Sequence, residues 1–204
     1  MKLGALAAAL RRFGPNPERT PAWYELRQLA AWSSNLAANR LADEVGGTAR
    51  VEQALRRLGM WSSTYPGPYR AGSSTGDAPK PPPQSHWRVT TAHDLGRALW
   101  RLQAGAFGNR YAQGLTGLTR HESQVAVRLL LSADARGDNA GLLRPSFPDA
   151  PVAQKNGWIS DTRATAAIVY LESGPKIAVV LAYAPHLKVA SARSLGRSFA
   201  ALLR

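Results

Sequence analysis

Residues 152–184 read VAQKNGWISDTRATAAIVYLESGPKIAVVLAYA, and the fold turns on how this stretch divides. Apolar residues here recur with a period of two, the spacing of a strand with one face covered. "VAQKNGWI" (152–159) and "TAAIVYLE" (165–172) read as strands, Ser173-Gly174 turns the chain, and "KIAVVLAYA" (176–184) reads as a third. Three such strands joined by short turns form an antiparallel meander. Lys155-Asn156-Gly157 sits inside the first of them. A lysine buried in a strand is costly unless it is paired or meets an anion. The adjacent glycine lets a ligand or another backbone approach the sheet. Taken alone, Lys-Asn-Gly is more often a turn.

Outward from the meander the period changes to that of a helix. Leu195, Phe199 and Leu202 keep helical spacing after it. Before it, helices are predicted over 3–13, stopped by "GPNP" at 14–17, and over about 22–31 and 35–45. A fourth, capped by Thr48, carries Val51, Leu55 and Leu58 on its inner stripe. Thr91-x-x-Asp94 and Thr119-x-x-Glu122 are capping-box patterns that open two more, while glycines at 105–117 and 137–141 mark connections. Residues 62–86, rich in proline, glycine and serine, show no periodicity and are expected to form a long loop. Many helices, a three-strand meander and a closing helix make an α+β fold with helices packed on an antiparallel sheet. Three strands are few for so many helices, which suggests that strands are missing from the N-terminal side.

The composition narrows the chemistry. Cysteine is absent, which removes disulfides, thiolate nucleophiles and Cys-ligated zinc. His86, His93, His121 and His186 show no ligand spacing, so neither a metal nor another cofactor is expected. The net charge is +13, and only five of the 26 basic residues are lysine. Such charge attracts polyanions, but the arginines are scattered and no nucleic-acid-binding signature accompanies them. Specific nucleic-acid binding is therefore not expected. No window is apolar for long enough to span a membrane. "MKLGALAAALRRFG" imitates a signal peptide but lacks a cleavage site, so no intact export signal is read here.

A second stretch then comes into focus. In "WSSNLAANRLADEVGG" (32–47), three small polar residues interrupt a segment that otherwise reads as buried helix. Read alone, Ser33 to Asn35 are a helix start. Read with Lys155-Asn156-Gly157 and with "VTTAHDLGRALWRLQAG" (89–105), the chain resembles the penicillin-recognising serine hydrolases, the class A β-lactamases and their D-Ala-D-Ala-peptidase-like relatives. Their signatures are Ser-x-x-Lys, Ser-Asp-Asn and Lys-Thr-Gly. "SSN" and the helices after it resemble the second, "KNG" and its hairpin the third, and 89–105 the helix that follows the family's omega loop.

This resemblance covers nearly the whole chain in the right order. It implies a β-lactamase/transpeptidase-like domain over 1–204, with 62–86 in the omega-loop region. Ser33 would relay a proton to the leaving group and Asn35 would bind the substrate's amide side chain. Lys155 would attract the substrate carboxylate and ease deprotonation of Ser33. Asn156 and Gly157 complete the third motif, and the Trp158 N–H would form half of an oxyanion hole. Ser34 stands where the family has aspartate, and Asn156 where it has threonine or serine.

Two absences go with the resemblance. "MKLGALAAALRR" resembles the nucleophile helix from its last motif position onward. Lys2 would then be the motif lysine, with the serine two residues before Met1, as in a truncated chain inactive alone. Ser173-Gly-Pro-Lys176 matches the motif literally but spans a strand turn, and is rejected. Residues 60–90 contain no glutamate, so nothing there is expected to activate a deacylating water. The implied substrates are β-lactams or peptidoglycan stem peptides. A monomer and a secreted or cell-envelope location are also expected. The alternative is a non-catalytic domain of the same fold that keeps the cleft for binding.

Overall fold

A computed structural model describes residues 1–69, 88–159 and 161–203. Residues 70–86 of the expected loop lie outside the described residues. Eight α-helices are described: α1 (Lys2–Phe13), α2 (Ala22–Ala31), α3 (Asn35–Glu44), α4 (Thr48–Arg57), α5 (Ala92–Ala106), α6 (Arg110–Thr116), α7 (Arg120–Leu131) and α8 (Val189–Ala201). The strands β1 (Val152–Ile159), β2 (Thr162–Leu171) and β3 (Gly174–Tyr183) form one antiparallel sheet in the order β1-β2-β3. The α+β expectation holds, and β1 has the limits its apolar alternation predicted.

The two faces of the sheet serve two cores, because successive side chains point to opposite sides. Ala153, Ala166 and Ile168 pack with Leu3, Leu6, Leu10, Leu41, Leu55, Leu99, Leu102 and Leu129 of the helical layer. Val152, Ala167, Val169, Ala178 and Val180 pack instead with Leu142, Leu143, Phe147, Ala192 and Ala200, beneath α8. Lys155 shares the parity of Ala153, so its side chain faces the helices. Gln154 and Asn156 face the other way. At the centre of the helical layer lies α1, buried from Leu3 to Leu10 on nearly every side. Gly4 lets α4 approach it, since a Cβ there would meet Leu55 at 2.7 Å.

Several local details differ from the sequence expectation. The 105–117 region is not merely a connection, because Asn109 caps the short helix α6 through Ala112 N–H. Gly47, not Thr48, precedes α4, and its φ of 85° explains why glycine stands there. The Thr119–Glu122 capping box is complete, both reciprocal hydrogen bonds being present. At α5 only half of a box forms: the Thr91 hydroxyl accepts the Asp94 N–H. The Asp94 carboxylate turns instead to the start of the proline-rich loop, accepting from the Ser62 N–H and the Ser63 hydroxyl, both at 2.8 Å. Thr64 and Val89 pair across the loop's neck, and the Ser63 and Thr90 hydroxyls meet at 2.8 Å.

Asp94 is thus a buried carboxylate whose partners all come from the loop neck and its own helix start. Hydrogen bonds to a charged acceptor contribute about 1.5–3 kcal/mol each, so Asp94→Ala should lower the unfolding free energy by roughly 2–4 kcal/mol. Urea unfolding with an unchanged m-value would report this. A loss below about 1 kcal/mol would show that the neck does not depend on this carboxylate.

Candidate active-site cleft

Where the helical layer meets the exposed edge strand β1, a cleft of about 870 Å³ opens. Lys2, Ser33, Asn35, Lys155, Asn156, Gly157 and Trp158 all line it. Three elements bring them there. The buried first turn of α1 supplies Lys2, the α2–α3 connection supplies Ser33 and Asn35, and β1 supplies the rest.

Ser33 is the pivot of the site. Its φ of 55° is left-handed, unusual for a residue with a Cβ. Strain of this kind costs about 1–3 kcal/mol and persists only where surrounding contacts enforce it. Those contacts are visible on both sides of the residue, beginning with the Trp32 N–H, which bonds the carbonyl of Gln28. Ser34 N–H bonds the carbonyl of Gln28 at the end of α2, and the Ser34 hydroxyl caps α3 by accepting the Ala37 N–H at 3.1 Å. Ser34 is therefore the helix cap that the triplet suggested. Ser33, forced out of the helical path, presents its hydroxyl to the cleft.

Two ammonium groups converge on that hydroxyl. Lys155 Nζ donates to Ser33 Oγ at 2.7 Å and to its neighbour's carbonyl, Asn156 O, at 3.2 Å. Lys2 Nζ donates to Ser33 Oγ at 3.2 Å, to the Asn35 side-chain oxygen at 2.7 Å and to the Ser33 carbonyl. Burial pushes the Lys155 amine down to about 7, with help from the charge of Lys2. Burial and then Arg88 push Lys2 down to about 8. Near neutral pH either amine can therefore lose its proton. A neutral lysine can accept from the Ser33 O–H while the other still donates to it, so the hydroxyl can pass a proton between them.

Asn156 is committed elsewhere. Its amide donates to Asn139 O at 2.7 Å, and its oxygen accepts from Thr165 at 2.8 Å. Gly141, at φ 71°, makes room for it, since a Cβ there would stand 2.5 Å from the Asn156 oxygen. The residue ties the 137–142 segment to β1 while bordering the cleft. Gly157 is open on its Cα side: a Cβ there would touch only Ala164, at 4.0 Å. Ser173, the literal motif match, is exposed in the β2–β3 turn and does not line the cleft.

The sequence reading missed the opposite wall. Tyr69 and Arg88, from the two ends of the proline-rich loop, also line the cleft. Asn39 of α3 holds the Tyr69 backbone by donating to its carbonyl and accepting its N–H, both at 2.7 Å. The Arg88 guanidinium lies 4.3 Å over the Tyr69 ring, and Lys2 Nζ lies 4.9 Å from the same ring. Burial raises the Tyr69 hydroxyl far above the ordinary tyrosine value. Aromatic residues spaced through a proline-rich stretch were the available signal that part of it packs. Among the described residues no group of acids and histidines could hold a metal ion, and no helix is long and apolar enough to cross a membrane.

Comparison with known proteins adds to this geometry. The family model described as "Beta-lactamase enzyme family" matches residues 10–203. Among solved structures, PBP-A superposes with a TM-score of 0.72 at 15% identity, covering 99% of this chain and 78% of PBP-A. A mutant of PBP-A, solved as an acyl-enzyme complex with penicillin G, gives 0.70 at 16% identity, with 99% and 79% covered. The chromosome-encoded β-lactamase of Vibrio parahaemolyticus gives 0.69 at 15%, with 99% and 81% covered. At these identities the structural likeness is one of fold. No curated protein matches the sequence.

The depressed lysines set a pH dependence. In the unfolded chain both return towards the ordinary 10.5, so between about 7 and that value the unfolded state binds more protons. Stability therefore rises with pH across this window and levels off below the folded values, where both states are protonated. Thermal unfolding from pH 7 to 10 should show a rising Tm, and Lys155→Met should flatten the rise. An equally steep rise in that variant would show that Lys155 is not the group responsible.

Proposed function

Because the chain belongs to the beta-lactamase enzyme family, we propose that its cleft serves serine acyl transfer on a β-lactam or a D-Ala-D-Ala-type cell-wall peptide. The observation that carries this reading is the single hydroxyl of Ser33 held between two lysine amines. In such a centre a nucleophilic hydroxyl beside Lys2 attacks the substrate carbonyl, and the Lys2 amine takes its proton. Ser33 delivers a proton to the departing nitrogen. Lys155 holds the substrate carboxylate and polarises Ser33. The Trp158 N–H on edge strand β1 stabilises the developing oxyanion, beside open Gly157. Asn35 and Asn156 line the same wall, Asn35 for the amide of the acyl side chain. Asn156 keeps its neighbours in place.

In this register Lys2, Ser33 and Lys155 supply the base, the relay and the carboxylate anchor. No carboxylate lines the cleft among the described residues. Residues 60–90 contain no glutamate, so water activation there is weak and an acyl-enzyme is long-lived. The substrate class places the protein outside the cytoplasm, and the chemistry requires only one chain. The lack of a glutamate in residues 60–90 also favours a second reading, a domain of this fold that binds the same ligands without turnover.

Mass spectrometry after incubation with penicillin G tests these assignments. The 204-residue chain is expected to show no adduct. A form extended before Met1 by a family N-terminal segment ending in Ser-x should gain one penicillin, retained for many minutes. Lys155→Ala in that form should slow acylation by about 100-fold or more, the scale of losing one charge-stabilising or proton-transfer group. No adduct on a folded extended form would leave the binding-domain reading. An adduct mapped to Ser173 would overturn the motif assignment.

A further inference from the structure

The cleft concentrates positive charge, and no acid among the described residues answers it. Lys2 and Lys155 touch the same oxygen at 3.2 and 2.7 Å, so their nitrogens stand no more than about 6 Å apart, close enough for strong mutual repulsion. Arg88 joins them, because it and Lys2 lie against the same Tyr69 ring at 4.3 and 4.9 Å. None of the three forms an ion pair with a described carboxylate; the described pairs join Arg40 to Glu25, Arg128 and His121 to Glu18, and Arg136 to Asp134. The cleft lining contains no aspartate or glutamate among the described residues.

Arg88 is held ready rather than used up. One of its terminal nitrogens donates to the carbonyls of Gly67 and Pro68, which fixes the plane of the guanidinium. Tyr69 and Tyr65 lie within cation-π distance of it, supplying the partial compensation that π faces give a cation. Its Nε is buried and has no hydrogen-bond partner among the described residues. A guanidinium is a fork suited to a carboxylate; here one terminal nitrogen is taken by backbone carbonyls and Nε is buried, so the other terminal nitrogen is the end of the fork that a ligand carboxylate would take. The reading of Lys155 as carboxylate anchor uses only one of the three cations. Arg88 lies on the opposite wall, formed by the ends of the proline-rich loop.

We propose that the cleft selects ligands bearing two anionic groups, with Lys155 holding one carboxylate and Arg88, beside Lys2, holding a second on the acyl-side portion. Arg88 is then a specificity residue for the acyl-transfer reaction, on whose assignment this inference rests. The second anion supplies a counter-charge that no described carboxylate provides, so a dicarboxylate is favoured over a monocarboxylate of the same shape. The natural ligand class that follows is a β-lactam or short peptide with a terminal carboxylate and a further acidic side chain.

Penicillin G and carbenicillin separate the possibilities, because the second differs from the first by one carboxylate on the acyl side chain. Calorimetric titration of the 204-residue chain at low ionic strength should give a dissociation constant for carbenicillin about tenfold lower than for penicillin G, the scale of one charge-assisted hydrogen-bonded pair. The ratio should shrink at 0.5 M salt, as about 4 Å screening removes the long-range part. Arg88→Gln, its fold checked by circular dichroism, should bring the ratio close to one. Arg88→Lys, which keeps the charge without the fork, should retain part of it. Binding of both penicillins with equal affinity, or a preference unchanged in Arg88→Gln, overturns the inference while leaving the acyl-transfer reading intact. Binding of neither overturns both.

Discussion

Two lysine amines share one serine hydroxyl at the meeting point of α1, the α2–α3 connection and β1, and the cleft is organised around that contact. Each lysine is buried beside the other, and neither has a carboxylate partner among the described residues. Water would normally pay the solvation of both charges, and here three oxygen acceptors around Lys2 and two around Lys155 replace it. The replacement is incomplete, so both amines bind protons weakly. A structure arranged only for stability would place an acid here or move the lysines out. Poised amines of this kind are what proton transfer near neutral pH needs.

The geometry also depends on contacts remote from the chemistry. Lys2 is placed by α1, whose position follows from burial on nearly every side and from the close approach at Gly4. The left-handed Ser33 is enforced by the end of α2 and the cap of α3. The wall bearing Tyr69 and Arg88 depends on Asn39 of α3 and on Asp94, which diverts its carboxylate from its own helix to the neck of the loop. A carboxylate with helix-capping chemistry has become the fastener of a loop.

Alternation along β1 divides its polar residues between two tasks. Lys155 faces the helices and reaches the cleft, whereas Gln154 and Asn156 reach the 137–142 segment; Gln154 donates to the carbonyls of Asn139 and Ala140, and Asn156 to that of Asn139. A shift of register by one residue would exchange these roles and bury the wrong groups. The apolar residues Ala153 and Val152, packed in separate cores on the two faces, fix that register.

Much of the fold was legible in the sequence because it follows from local periodicity. The limits of β1, the helices with Leu stripes, the Thr119–Glu122 capping box and a turn near Ser173, which the structure sets at Glu172-Ser173 with Gly174 opening β3, rest on interactions between near neighbours. The seven motif residues could also be named, since their types and order are themselves the signal. Three things required the tertiary structure. The first was α6, whose shortness and glycines hid it in the 105–117 region. The second was the commitment of Asn156, which depends on a partner segment whose position no spacing specifies. The third was the cationic wall, where Tyr69 and Arg88 come from the two ends of a loop without periodicity. Sequence determined which groups could do chemistry, because chemistry belongs to side chains. Only folding decided which charges meet without a counter-ion, because that depends on distances between segments far apart in the chain.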